Sequence, residues 1–205
     1  MLSFDHVSLV GRPETLADVG LRLTPTRGDD RHTRIHLAGS YLELRTTEPP
    51  TALRGSGWFL RACEPSTIAQ TLASRGVTAS DSAPYHGADG TWSDISVGGA
   101  ELGAVVPMIT HRVDRPDWPP RSGAMHPNGA VAVAELQLAT PDPLALARLL
   151  GRLGATVERA SSPTAVAPLE LGPLRLVVTA ARKPALSALT LRTGDGRRLR
   201  LDLSA

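Results

Sequence analysis

The side chains through which this chain could do chemistry are six histidines, twenty acidic residues and one cysteine. Two of them stand inside otherwise apolar runs: His6 in FDHVSLV and Glu43 in YLELR. An imidazole and a carboxylate enclosed together can move a proton, because burial lifts a carboxyl pKa towards the range in which it works as a general base. His32 and His36, in RHTRIHL, have the even spacing that puts side chains on one face of a strand, a weak metal-like pair. His86 in PYHGADG, His111 beyond VVPMIT and His126 in a proline-rich stretch read as surface histidines. Cys63 is alone, which excludes an intramolecular disulfide and a cysteine-built zinc site, and it reads as an inert buried thiol at a strand end. No GxSxG elbow, P-loop or GxGxxG is present.

The elements that must position these residues recur along the chain. Residues 6–24 (HVSLVGRPETLADVGLRLT), 58–76 (WFLRACEPSTIAQTLASRG) and 136–154 (LQLATPDPLALARLLGRLG) share one design: a short apolar strand, then a proline that opens a helix with one apolar face. Eleven positions after each proline comes a stop residue, Thr24, Gly76 or Gly154. Proline suits the first helical turn and glycine the exit, so the spacing predicts a helix of about three turns in every copy. Behind each helix lie strand-like runs with a small-residue turn, RIHLAG-SYLELR, DISVGG-AELGAVV and LELG-PLRLVV, giving β-α-β-β-β. The tail SALTLRTGDGRRLRLDLS reads as a hairpin about Gly194–Asp195–Gly196, the stump of a fourth unit. The predicted fold is α+β, with repeated βαβββ units and curved mixed sheets forming a cup. Units at 1–50 and 56–112 form one domain, 113–129 is a proline-rich linker, and 130–205 holds the third unit with its hairpin.

Composition sets the outer limits. Two hundred and five residues at 41% hydrophobic content can build real cores. A formal charge of +2 with scattered basic residues and 3% aromatics argues against a nucleic-acid partner. No apolar run is long enough to span a bilayer and no signal-like segment opens the chain, so a cytoplasmic protein without a membrane partner is expected. Lys183 is the only lysine, a mark of a GC-rich genome and not of chemistry.

FDHVSLV, with a strand ending in YLELR one helix later, resembles the opening βαβββ unit of glyoxalase-like proteins of the vicinal oxygen chelate superfamily. GWFLRA with its following helix, VVPMITHR and HPNGAVAVAELQLATPD are similar to the rest of that domain. The resemblance implies a cup of paired units around a small-molecule ligand, formed within one chain or across a homodimer. It also implies divalent-metal chemistry with Zn, Ni, Fe or Mn, one ligand coming from the first strand and one from the last strand of each unit. Carried over, those ligands are His6 and Glu43, which suit such metals and leave open positions for a substrate.

The repeat tests the other half of that site. Seven residues before the helix prolines stand His6, Trp58 and Leu136, and four after the turn glycines stand Glu43, Gly103 and Leu176. Neither later unit supplies a ligand. Glu135 neighbours Leu136, but a shift of one residue turns a strand side chain to the opposite face. His111 and Glu135 are therefore weak supplements, and the alternative is metal-free acid–base chemistry at Glu43 and His6. Trp58, counted opposite His6, offers a flat wall for a ring-bearing substrate or packs in the core. Tyr41 and Arg45 share the Glu43 face and would meet a phenolic or anionic group. Two functions follow: an isomerase-, lyase-, cyclase- or dioxygenase-type enzyme acting on a small oxygenated molecule, or a non-catalytic protein that sequesters one, such as an antibiotic.

Overall fold

The computed structural model describes residues 2–26, 29–47, 52–62, 65–81, 84–87, 90–98, 103, 105–113, 125–157 and 169–204. Cys63 lies outside them. Among the described residues no helix is long and apolar enough to cross a membrane.

The first unit runs β1 (Leu2–Val10), α1 (Pro13–Asp18), β2 (Thr24–Thr26), β3 (Asp29–Leu37) and β4 (Ser40–Arg45). The second runs β5 (Arg54–Ala62), α2 (Pro65–Ser74), β6 (Ala79–Asp81), β7 (Tyr85–Gly87), β8 (Gly90–Val97) and β9 (Met108–Arg112). Together they build one sheet of order β2-β3-β4-β1-β5-β9-β8-β6, with β7 added on β8. The two units meet edge to edge where β1 lies antiparallel to β5. A second sheet holds β10 (Ala130–Thr140), β11 (Thr156–Val157), β12 (Leu169–Leu171), β13 (Leu174–Ala180), β14 (Ala185–Thr193) and β15 (Arg198–Asp202), ordered β11-β12-β13-β10-β14-β15, with α3 (Pro143–Leu153) following β10. The fold is thus α+β, mostly strand, in two mixed sheets, consistent with a glyoxalase-like fold.

Helix ends follow the chemistry of their caps. In α3 the Asp142 carboxylate accepts from the Ala145 amide at 2.9 Å, and Gly154 closes the helix at φ +107°. Behind α2, Gly76 has φ +68°. The first helix departs from the predicted three turns. Gly20 turns left-handed at φ +80°, its amide bonds back to the Ala17 carbonyl, and α1 ends after six residues. Thr24, the predicted stop, begins β2 instead.

Alternation decides what each face buries. Val7, Leu9, Leu42, Leu44 and Leu60 point from the first sheet into the core that Leu16 of α1 and Leu72 of α2 also enter. Leu136, Leu138, Leu176, Leu189 and Leu191 do the same from the second. Each such side chain contributes about 1.5–3 kcal/mol by leaving water. The sheets are fastened to each other by the amide of Ser204, which bonds the Leu53 carbonyl at 2.8 Å, and by close packing of Leu186 on Gly55.

Strand registers carry the detail that matters for the site. Phe4 pairs with Leu60 but His6 pairs with Phe59, so Asp5 is an extra residue, a β-bulge. A second shift follows between Ser8 and Leu9, opposite Ser56. The second sheet repeats both shifts, between Val133 and Glu135 and between Gln137 and Leu138. Matching the bulges makes Glu135 the structural counterpart of His6.

Candidate functional site

One face of the first sheet carries the polar and aromatic side chains. By register it presents His32, Arg34 and His36 from β3, Tyr41, Glu43 and Arg45 from β4, and His6 and Ser8 from β1. Phe59 and Arg61 of β5, Thr110 and Arg112 of β9, and Trp92 and Asp94 of β8 continue it. Five strand spacings separate β3 from β8, about 24 Å if the sheet were flat. Yet the Arg34 guanidinium carbon lies 5.3 Å from the Tyr41 ring centre and 5.9 Å from that of Trp92. The sheet must therefore curl until its two walls meet, and this face is the inside of the curl.

Inside it the flat groups form a column. Arg112 lies 5.1 Å over Trp92, Arg34 bridges Trp92 and Tyr41, and the His6 ring is stacked between Tyr41 at 4.4 Å and Phe59 at 4.1 Å, nearly parallel to both. The three stacked rings occupy one rung across β4, β1 and β5. Clamped in this way, the imidazole has little rotational freedom.

The bulge supplies its hydrogen bond. On a regular strand Asp5 and His6 would face opposite sides, but the extra residue lets both turn inward, and Asp5 Oδ2 meets His6 Nδ1 at 2.8 Å. Asp5 is 2% exposed, and the Arg61 guanidinium lies 3.9 Å from its other oxygen. A buried carboxylate accepts the Nδ1 proton, which leaves Nε2 as the lone-pair nitrogen, and Nε2 has no hydrogen-bond partner among the described residues. Sequence reasoning missed Asp5 because alternation assigns it to the far face. Its place directly before His6 was the only signal.

Glu43 shares the concave face with His6, one rung along, opposite Ser8. It receives the Ser8 hydroxyl at 3.3 Å and an Arg34 N–H at 3.5 Å, so its charge faces a guanidinium and not the imidazole. Tyr41 stands in the ring column, and Arg45 is exposed at the end of β4. Trp58 does not line the hollow. The Asp5 bulge slips the register by one residue, Trp58 pairs with Val7 and is fully buried in the core, where its indole N–H donates to the Val105 carbonyl at 2.9 Å, and Phe59 takes the place beside His6.

The supplementary ligands lie elsewhere. His111 pairs with Ser93 and alternates with Thr110 and Arg112, which puts it on the convex side. Glu135 belongs to the second sheet, where Arg175 and Arg198 bond its Oε2 at 3.2 and 3.0 Å. His86 is exposed beside Thr91. His126 is not a surface residue: it is buried, its Nδ1 accepts the Arg22 amide at 2.9 Å, and its other nitrogen meets the His36 carbonyl at 2.9 Å.

These positions test the fit of a divalent metal. Among the described residues no three His, Cys, Asp or Glu side chains gather closely enough to hold one. At the places where the second unit would supply ligands stand Phe59 and, one strand over, Met108 and Thr110. Glu43 is already neutralised by Arg34. The donor set does not fit a metal, and no step is derived through one.

Comparison with known proteins adds the following. A family model described as a glyoxalase-like domain matches residues 4–154. Curated protein sequences give no match. Among solved structures, a hypothetical protein from Staphylococcus aureus aligns over 100% of both chains at TM-score 0.68 and 8% identity. Homoprotocatechuate 2,3-dioxygenase from Arthrobacter globiformis aligns at TM-score 0.58 and 13% identity, over 98% of this chain and 79% of its own. A 2,3-dioxygenase from Pseudomonas sp. KL28 aligns at TM-score 0.58 and 11% identity, over 99% and 92%. At such identities the likeness is one of fold.

Proposed function

The chain belongs to the glyoxalase-like domain family of the vicinal oxygen chelate superfamily, and on that premise we propose that it is an enzyme that moves a proton on a small oxygenated molecule in the hollow of its first sheet. The observation that carries this reading is the Asp5–His6 pair. A ring held between two aromatic faces, with its Nδ1 proton fixed on a buried carboxylate, presents Nε2 as a base of defined direction. Abstraction of a proton beside a carbonyl is the step such a base performs, and it is the first step of isomerase, lyase and cyclase reactions. Arg34 and Arg112 supply cationic faces for the negative charge that develops on oxygen. Phe59, stacked on His6 and half-buried, is the ring of the column that favours a ring-bearing substrate. Homoprotocatechuate, named for one structural neighbour, is a molecule of that kind.

A second reading is a protein that binds such a molecule without turning it over. Phe59 and Thr110 at the second unit's ligand positions favour it. Phenylpyruvate, a ring-bearing oxo acid with an exchangeable C–H, separates the two. The enzyme reading expects wild-type protein to accelerate solvent-deuterium incorporation at that carbon, and His6→Asn to bind the acid as wild type does without exchange. Equal exchange in His6→Asn would overturn the base assignment. Tight binding without exchange by either protein selects sequestration.

A further inference from the structure

We infer that Gly57 is the specificity-determining residue of the hollow: its bare backbone beside His6 seats the group carried by the carbon that loses its proton, and that group is an aryl ring. The inference rests on the reading of His6 as the base.

The column of rings fixes where that base points. Tyr41 and Phe59 stack on the two faces of the imidazole from the neighbouring strands, at interplanar angles of 13° and 9°, so the plane of the ring runs along β1 and stands upright on the sheet. The two nitrogens of an imidazole diverge within that plane. Nδ1 turns back along β1 to Asp5, so Nε2 is directed forward, over the next rung of the concave face. That rung reads Arg34, Glu43, Ser8 and Gly57 across β3, β4, β1 and β5.

One half of the rung is filled and the other is bare. The Ser8 hydroxyl donates to Glu43 Oε2 at 3.3 Å, away from β5. A Cβ built on Gly57 meets a single atom within 4 Å among the described residues, Phe59 Cε2 at 3.8 Å, which is an ordinary contact. Nothing in the fold calls for glycine here. Its φ is not left-handed, so it is not the glycine of a bulge that needs one. Packing does not require it either, in contrast to Gly55, whose Cβ would strike Leu186. Glycine inside a strand costs entropy and forgoes packing, and it marks a place where a ligand comes close to the backbone.

Arg34 and Gly57 stand at opposite ends of this rung, with Nε2 directed over its middle. When the substrate's C–H proton passes to Nε2, the bonding pair enters an enolate whose oxygen lies on the Arg34 side. The other substituent of that carbon then falls over Gly57, against the edge of Phe59. A flat ring covers a bare backbone and meets a ring edge, the geometry that aromatic pairs prefer.

Solvent-deuterium exchange into phenylpyruvate, whose reacting carbon bears a phenyl group, and into pyruvate, whose reacting carbon is a methyl, tests the seat in wild type, Gly57→Ala and Gly57→Val. Valine suits an extended backbone and fills the space. Gly57→Val is expected to lower kcat/KM for phenylpyruvate about tenfold or more beyond any change with pyruvate, with Gly57→Ala between. The Kd for phenylpyruvate, read from NMR line broadening of the acid, should rise in the same order. Should Gly57→Val fail to fold, Gly57→Ala carries the same comparison. An unchanged ratio between the two acids in the folded variants, with an unchanged Kd, would overturn the inference and leave the base in place. A wild type that binds phenylpyruvate but exchanges neither acid refutes the base instead, and the Kd series then decides the seat alone. A wild type that binds neither acid overturns both.

Discussion

Asp5 and His6 are consecutive residues of one strand whose side chains nevertheless bond to each other, Oδ2 to Nδ1 at 2.8 Å. A bulge turns both inward, and the rings of Tyr41 and Phe59 hold the imidazole in place. Nitrogen-15 spectra of the wild-type protein should therefore show His6 as the Nδ1–H tautomer. Asp5→Ala removes the acceptor and leaves a buried donor unmatched, and a stability loss of about 1–3 kcal/mol in urea titrations is expected together with a mixed tautomer. An Nε2–H tautomer in wild type would refute the assigned base.

How far the sequence reveals this arrangement can be judged residue by residue. Helix α3 is legible because Asp142, Pro143 and Gly154 act locally, through their own caps and dihedrals. Placing His6 and Glu43 on one face needs only alternation and the parallel pairing of β1 with β4. Trp58 stays open between wall and core, and Asp5 goes unnoticed, for one shared reason, since a single inserted residue inverts every facing relationship beyond it and no local propensity announces the insertion. Counting from Pro143 likewise passes over Glu135 as the counterpart of His6, because β10 runs one residue further beyond Glu135 than β1 does beyond His6. Arg34 and Trp92, far apart in sequence, meet only because the sheet curls, which belongs to the packing of the whole.

His126 ties the start of the third unit to the first. With the Arg22 amide donating to Nδ1 and the ring donating to the His36 carbonyl, one neutral tautomer satisfies two backbone groups from separate segments. Truncation in His126→Ala strands both, and a loss of about 2–4 kcal/mol is expected. Hydrogen exchange should quicken at Arg22 and at Ala38, whose amide bonds the Val131 carbonyl nearby. Unchanged exchange at both amides would show that the clamp carries no energy.

His36 makes stability depend on pH. Burial foremost, then the charge of Arg34 and the repulsion that protonation of His126 would bring, hold its pKa below the ordinary 6.5. Between the lowered folded value and 6.5 the unfolded chain binds a proton that the folded chain refuses, so unfolding becomes easier as acid is added. Stability contributed by the neutral ring is complete above pH 6.5, declines as the pH falls through that value, and levels off below the folded pKa. Urea midpoints taken between pH 8 and pH 5 should trace this fall, and His36→Gln should flatten it. An identical slope in the variant would assign the effect to other groups.

At Gly55 the two sheets press closely together. A Cβ built there would lie 2.6 Å from Leu186 Cβ and 2.7 Å from Cδ2, distances that real carbons do not adopt. Its φ is not left-handed, so the backbone accepts alanine and the whole penalty of Gly55→Ala comes from the contact. Overpacking of this kind costs about 1–3 kcal/mol. Leu186→Ala, which removes Cγ and Cδ2 but keeps the Cβ that stands nearest, should cost about 2–5 kcal/mol alone through the cavity it leaves. If the two side chains compete for one space, the double variant is more stable than the sum of the single effects predicts, and urea titration of all four proteins measures the difference. Additive effects would mean that the sheets separate at this contact without strain, and Gly55 would then owe its place to something other than the interface.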